Sequence, residues 1–482
     1  MGIRGSAGRL LPPQCLCSKE LSLETPNSGR IGWLEPAVFI IVLAIALSIA
    51  VPALAGDEAA KPSEDQTASE YRSPRCLTPG NPLRLLFECV GKRFDVVKDT
   101  LTKDTAGYRT ELAKLGITAE HSYTAQFMGN PSGGQSRGST YAGVLADLVT
   151  WDFQKLLGAP GLSFTVAASY SSGRNLSAEH IGNAFTVQGA FDGTGNVNLQ
   201  LLYLQQEFLD RALTIALGRL APANTFATLP ILYNYINGAI NSFPGALNIN
   251  DSTFTASPPG VEWGAQVIYN VTPTIQTAAG VYNTNPRAAA GNDNGINFAF
   301  QQGNTGALTI AQVSYLYNQA RGDAGMPGEY TLGGSYDSNT FSSLGSPTGV
   351  ESGSYSLYAL FQQMIYRDGK PGSMRGLTVW GEATLSPKPS VSSMPYFLGG
   401  GLSYQGVVPS RDNDVASLGV IYGSFSGYIP RTSGETAVEA SYRIALTPWL
   451  SIMPDVQYIV KPSGNSNTQN AVVLGAQLEV TF

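Results

Sequence analysis

Eleven side chains stand on the hydrogen-bonding side of segments in which apolar and polar residues alternate: Glu120, Gln126, Glu262, Gln266, Trp380, Glu382, Glu439, Arg443, Asp455, Gln457 and Glu479. Arg219 ends a further such segment, where the longest connection of the chain begins. Rows of carboxylate, carboxamide, guanidinium and indole N–H groups bind polar molecules through hydrogen bonds, and aromatic rings add a face to stack on. The competing use of the same charges is to pair with one another and stiffen a wall. Bond-making chemistry has little to work with. The C-x-x-C, H-E-x-x-H and phosphate-loop spellings are missing, and the two histidines, His121 and His180, are far apart in sequence. Asn292-Asp293-Asn294-Gly295 is spelled like a fragment of a calcium loop, but a solvated turn is the simpler reading. No cofactor and no metal is expected, and the chain is not expected to be an enzyme.

Extended backbone must position these residues. In 471–482, Val472, Leu474, Ala476, Leu478, Val480 and Phe482 share one face, while Gln477, Glu479 and Thr481 share the other. Segments 436–446 and 450–460 alternate in the same way. Strands of about ten residues, apolar on one side and polar on the other, are the signature of membrane barrels, whereas strands of soluble sandwiches run about five to six. Charged residues are only 13% of the chain and aromatics 10%, which also suits a wall facing lipid. A charge on the lipid face costs roughly 2–4 kcal/mol for Lys or Arg near the midplane, so the polar rows are expected to face a wet lumen. His121 falls on the apolar side of the first strand and is expected at the membrane interface.

Only 37–51, AVFIIVLAIALSIAV, is a long apolar run. Arg30 precedes it and Ala53-Leu54-Ala55 follows, the order of a secretory signal peptide with an A-x-A cleavage site. The expected organisation is a signal peptide over 1–55 with a long n-region, a periplasmic arm and helix over 56–115, and a barrel over 116–482. Within the arm, 56–75 has no apolar period, and Phe94, Val97, Leu101, Tyr108, Leu112 and Leu115 recur at helical spacing. Removing 1–55 takes four basic and three acidic residues, leaving 25 and 32 and a formal charge of −7. That balance gives no footing for nucleic acid. Cys76 and Cys89 remain, and an oxidising periplasm would allow them to form a disulfide.

Seventeen segments alternate, whereas bacterial single-chain barrels have even strand counts. Both chain ends should be periplasmic, and so should the tight turns Val271-Thr272-Pro273 and Leu446-Thr447-Pro448-Trp449. These constraints agree only if 296–301 belongs to an outer loop. Sixteen antiparallel strands then remain, at 116–129, 141–151, 161–170, 197–207, 213–219, 262–271, 274–283, 308–318, 329–338, 354–366, 376–386, 396–406, 415–424, 436–446, 450–460 and 471–482. The long connections 171–196, 220–261, 284–307 and 339–353 all fall outside, which agrees with the longer extracellular loops of such barrels. Loop 220–261 carries Phe226, Tyr233, Asn234, Tyr235, Asn237 and Phe243 with few charges. Such a loop is costly in water and is expected to fold inward as a constriction through Tyr233, Tyr235, Asn234 and Asn237. In the turn 407–414, Arg411, Asp412 and Asp414 are expected to form stabilising salt bridges.

Several stretches carry a family likeness. They are Gly107-Tyr108-Arg109 with Leu112 and Gly116-Ile117, the run Leu213 to Leu220 with Pro222, Phe226 and Ala227, and Val281-Tyr282-Asn283-Thr284-Asn285-Pro286. Tyr404-Gln405-Gly406, Pro409 to Asp414, Leu418-Gly419-Val420 and the block Glu435 to Pro462 complete the set. Over about 105–482 the chain resembles the carbohydrate-selective outer-membrane porins of the OprB family. The resemblance implies an all-β transmembrane barrel of about sixteen strands, in the outer membrane of a Gram-negative bacterium. It implies passive diffusion of small sugars and polyols, narrowed by inward-folded loops. The expected partners are outer-membrane lipids and lipopolysaccharide, small sugars, the barrel-assembly machinery through the Phe482 strand, and either no further subunit or a homotrimer. A general or differently selective porin is the alternative, followed by an outer-membrane enzyme or adhesin.

Overall fold

The computed structural model describes residues 99–191, 195–256, 261–284, 294–296, 298, 306–319, 324–369, 371–430 and 432–482. The signal-peptide, arm and disulfide expectations (1–55, 56–75, Cys76 and Cys89) lie outside these residues, as do Phe94, Val97 and the first half of the calcium-like run, Asn292 and Asp293.

Sixteen strands follow a short helix α1 (Tyr108–Lys114). The first eight are β1 (Ile117–Gly134), β2 (Gly138–Asp152), β3 (Leu162–Gly173), β4 (Val197–Phe208), β5 (Leu213–Leu220), β6 (Glu262–Asn270), β7 (Ile275–Thr284) and β8 (Gly306–Tyr317). The rest are β9 (Gly328–Ser342), β10 (Val350–Arg367), β11 (Gly376–Leu385), β12 (Tyr396–Gln405), β13 (Val415–Ser424), β14 (Gly434–Thr447), β15 (Leu450–Val460) and β16 (Gln469–Thr481). Helix α2 (Phe153–Leu157) lies between β2 and β3, and α3 (Gly245–Asn250) lies between β5 and β6. Each strand pairs with its sequence neighbours, and β1 pairs with β16, so the sheet closes and leaves no edge. Closure satisfies the backbone without water, which a bilayer demands. Ile296 and Phe298 lie outside any strand, as the even strand count requires. No helix among the described residues is long and apolar enough to cross a membrane.

Alternation along the strands sorts the side chains. Outward rows carry Leu217, Leu332, Leu357, Leu398 and Leu418, all exposed. Near the end that carries the short turns, outward aromatic rings meet in pairs, such as Trp151–Phe164, Tyr315–Tyr330, Tyr330–Phe361 and Tyr366–Tyr404. A girdle of this kind marks a membrane–water interface, and short turns mark its periplasmic side.

The helical expectation for 94–115 is met only in part. Tyr108–Lys114 is α-helical, but Leu101 is in a bend and Thr105–Gly107 is a 3-10 turn. The chain departs from the α-helix because it is held against the barrel seam. Leu101 N–H donates to Thr481 O (2.8 Å), and Arg109 reaches Ala119 O (2.9 Å) and Phe482 O (2.6 Å). Arg109 thus ties the last strand to the first. Hydrogen bonds to a charged group contribute about 1.5–3 kcal/mol each. We therefore expect Arg109→Ala to unfold at lower temperature than the wild type in a heat-modifiability gel, with the folded band otherwise unchanged.

Candidate functional site

The lumen is shaped by two connections that turn inward. Residues 221–256 leave β5 and cross the interior. Phe226, Leu229, Leu232, Tyr235, Ile236 and Ile240 on this loop are fully or almost fully buried, so the wall solvates what water would not. The loop is stitched to the wall by main-chain hydrogen bonds to lumen-facing side chains. Ala227 N–H donates to Gln312 (3.0 Å), Ile231 N–H to Gln362 (3.2 Å), and Ile236 and Asn237 N–H to the two oxygens of Glu439 (2.5 and 3.1 Å). Asn237 Nδ2 donates to Gln457 Oε1 (3.0 Å), and Ser441 Oγ donates to Asn234 O (2.9 Å). The inward fold read from the apolar composition of this loop is what the structure has.

The β3–β4 connection leaves on the outer side, as expected, and its residues 174–191 also fold inward, which the sequence reading did not foresee for this connection. Its Phe185 and Val187 are fully buried, and it joins the long loop through Gly189 N–H to Ile236 O (2.9 Å) and Gly238 N–H to Thr186 O (2.7 Å). Ala184 and Phe185 N–H donate to Glu435 (2.8 Å each), and Gln457 Nε2 donates to Val187 O (3.0 Å). The residue that betrays this fold is Glu435, whose carboxylate meets backbone far away in sequence. Nothing in the composition of 174–196 signals it.

An aromatic anchor fixes the centre of the long loop. Trp380 Nε1 donates to the Tyr235 hydroxyl (2.8 Å), which itself reaches Leu402 O and Leu418 O (3.1 Å each), and the two rings meet edge to face at 5.4 Å. Two glycines make room. A Cβ on Gly419 would lie 2.8 Å from Tyr235 Cε1, and one on Gly401 would lie 2.8 Å from Trp380 Nε1. Burial, first of all, raises the Tyr235 hydroxyl above the ordinary tyrosine range, so it stays protonated and can donate. Tyr233 contacts Ser242 Oγ (3.1 Å).

Registers put eleven of the twelve wall residues on lumen-facing rows. Gln126 Nε2 donates to Gln477, and its Oε1 accepts from Ala190 N–H (3.1 Å). Gln266 accepts from Tyr282 OH (2.9 Å), Gln457 donates to Asp455 (3.0 Å), and Glu479 accepts from Gln477 (2.6 Å) and Ser451 (3.2 Å). Glu120, Glu262, Glu382 and Arg443 are buried on the same rows, with Arg443 in the field of Glu479 and Asp414. Arg219 does not join them. It pairs in register with Leu202 and Trp263 on the outward row, and its buried guanidinium donates to Val261 O (2.6 Å). Period two along β5 decides this, because Arg219 shares the row of the outward Leu217.

The turn 406–414 holds the ion pair read from sequence. Arg411 Nε and Nη2 each meet an oxygen of Asp414 (2.8 and 2.9 Å), Ala445 N–H and Tyr442 OH donate to the same carboxylate (3.0 Å each), and Arg375 pairs with Asp412 (2.7 Å). Burial pushes Asp414 up, but Arg411, Ala445 and Tyr442 together hold its carboxyl below the ordinary 3.8. A folded-state value below the unfolded one gives stability that is present above the unfolded value and lost as pH falls through the folded one. Asp414→Asn should therefore be less stable at neutral pH by about 1.5–3 kcal/mol. In denaturant titrations the gap should narrow as pH falls from about 5 to 3.

A serine–histidine contact lies away from the lumen. Ser136 Oγ is 2.8 Å from His180 Nδ1, and Gly134-Gln135-Ser136-Arg137-Gly138 has the G-x-S-x-G spelling. The spelling gains chemistry from a strand-to-helix elbow with an acid behind the histidine. Here it forms the β1–β2 hairpin, and among the described residues no acid is paired with His180.

A closed sixteen-stranded antiparallel barrel with inward-folded loops and a hydrogen-bonding lumen defines an outer-membrane porin. The chain belongs to the carbohydrate-selective porins of the OprB family, whose description matches residues 136–482. Porin B of Pseudomonas aeruginosa is 24% identical over 424 residues, covering 79% of this chain and 90% of that protein. The putative porin QuiX of Acinetobacter baylyi is 24% identical over 423 residues, covering 79% and 93%. The high-pH structure of Pseudomonas putida OprB has the same fold, with a TM-score of 0.74 and 24% identity over 80% of this chain and 98% of that one.

Proposed function

We propose that this porin passes small sugars and polyols by passive diffusion across the outer membrane of a Gram-negative bacterium, through the lumen left beside residues 174–191 and 221–256. The observation that carries the reading is the character of the constriction. Residues 221–256 of the long loop carry a single charged side chain, Asp251, and Tyr235 and Asn237 are wholly buried as its anchors on the wall, so the narrowing loop is almost uncharged, as suits neutral, hydroxyl-rich solutes. Glu120, Glu262, Gln266, Glu382, Arg443, Asp455 and Glu479 are the proposed lining, while Gln126, Trp380, Glu439 and Gln457 chiefly hold the inward loops. The signal peptide, the 56–115 arm and the Cys76–Cys89 disulfide belong to the same reading, as does insertion by the assembly machinery.

The test is single-channel conductance in a planar bilayer, titrated with glucose. Saturable block supports a sugar site; steps indifferent to glucose leave a general porin, and no steps from folded protein return the enzyme and adhesin readings. Arg443→Ala should alter conductance or ion selectivity, and Arg219→Ala, standing outside the lumen, should leave both unchanged. The reverse result would remove Arg443 from the path.

A further inference from the structure

Asp251, the one charged side chain of residues 221–256, is set against a second acid. It follows α3, and its carboxyl meets that of Asp337 on the lumen row of β9, a residue only 1% exposed. Each acid spends one oxygen on its own backbone. Asp251 Oδ1 accepts from Thr253 N–H (2.9 Å), and Asp337 Oδ1 accepts from Asn339 N–H (2.7 Å). Asp337 Oδ2 meets no donor, and among the described residues no base pairs with either acid. The register partners of Asp337, Leu308 on β8 and Ser354 on β10, are neutral. At the rim, Glu351 of β10 and Lys388 of the β11–β12 connection pair with each other (3.5 Å), and Lys388 also binds Ser352 O (2.8 Å) and Gly353 O (2.9 Å). Tyr358, edge to face with Phe254, donates its hydroxyl hydrogen to Gln312 (3.0 Å).

Two ionised carboxylates in contact repel, and neither can donate. One proton between them turns the contact into a hydrogen bond. Burial, first of all, raises the Asp251 carboxyl above the ordinary 3.8. We propose that Asp251 and Asp337 share one proton and form a latch, which holds the α3 end of the long loop on the wall at acid and neutral pH and releases it as pH rises. The other bonds at this end are indifferent to pH. Asn250 Nδ2 donates to Ser386 Oγ (3.0 Å) and Met394 O (2.8 Å), and Met394 N–H donates to Asn250 Oδ1 (2.8 Å). The docked stretch keeps a proton that the released stretch, with both acids in water, gives up above about pH 4. Docking is therefore strongest in acid and weakens as pH rises, by up to about tenfold in the docked-to-released ratio per pH unit. Release widens the lumen beside residues 245–256, whatever solute passes.

Thiol labelling reads the loop whether or not the channel conducts. In the full chain with Cys76→Ser and Cys89→Ser, Ala246→Cys puts a buried thiol on α3. Its rate of reaction with a maleimide is measured with the acid pair intact and with Asp337→Asn, and the ratio of the two rates removes the ionisation of the thiol itself. Asparagine offers Asp251 a donor and carries no charge, so that latch stays closed at every pH. The ratio should grow about tenfold or more between about pH 6 and 9. Asp251→Asn should match Asp337→Asn, which separates the pair from a fault in β9, while heat-modifiable migration shows the barrel folded. Single-channel conductance should rise more over this range with the pair intact than in either variant. A ratio that stays level or falls as pH rises would overturn the proposal. So would added calcium restoring slow labelling at high pH with the pair intact, which would make the two acids a cation site.

Discussion

Glu439→Leu should give larger single-channel conductance and weaker glucose block than the wild type. Its carboxylate accepts the N–H groups of Ile236 and Asn237 at the middle of the long loop. Hydrogen bonds to a charged group contribute about 1.5–3 kcal/mol each, and leucine would leave two buried donors unmet. Losing about 3 kcal/mol shifts the balance between a docked and a released loop by about a hundredfold. Asn237 to Gln457, Ser441 to Asn234 and the Tyr235 anchor remain, so the stretch that loosens is the one around Ile236 and Asn237. The β-ladder does not pass through these bonds, so heat-modifiable migration should persist. Wild-type conductance from a folded Glu439→Leu barrel would show that the loop is held elsewhere, with Gln312 and Gln362 the next to test.

Gly419→Val should disturb the same loop from the wall side. The added Cβ would lie 2.8 Å from Tyr235 Cε1 and 3.2 Å from Trp380 Cζ2, both atoms of rigid rings. Overpacking of this kind costs typically about 1–3 kcal/mol, and here the ring that must yield is the loop's anchor. The channel should therefore flicker between conductance levels. Tyr235→Ala in the same chain removes the clash, so the double variant should be more stable than the sum of the single losses predicts, a coupling expected only between residues in contact. Strict additivity in denaturant titration would mean that Gly419 acts on the strand and not on Tyr235.

Most of the wall was legible because a strand has period two. The alternation of 471–482 and the pairs Glu439–Gln457 and Ser441–Asp455 follow from which face each residue takes, and the registers keep them there. Topology then settled the count: even parity turned 296–301 out of the sheet without any contact being known. Parity also places Arg219 on the outward row of Leu217; its expected place in the channel came from its position before the long loop and not from period two. Parity was silent on His121 and Asp147 as partners, since they stand 26 residues apart and meet only through the β1–β2 register.

The sequence by itself determined the class of fold, the membrane-facing and lumen-facing rows, and the inward turn of the long loop, because each follows from local period or from the cost of wetting an apolar stretch. Only the tertiary structure decided that residues 174–191 also turn inward, that Glu435 and Glu439 hold backbone amides, and that Gly419 exists to seat Tyr235. These depend on side chains from one strand meeting main chain up to some two hundred and fifty residues away. No local pattern encodes such a meeting, because a carboxylate facing a lumen reads the same whether water or a loop fills the space before it.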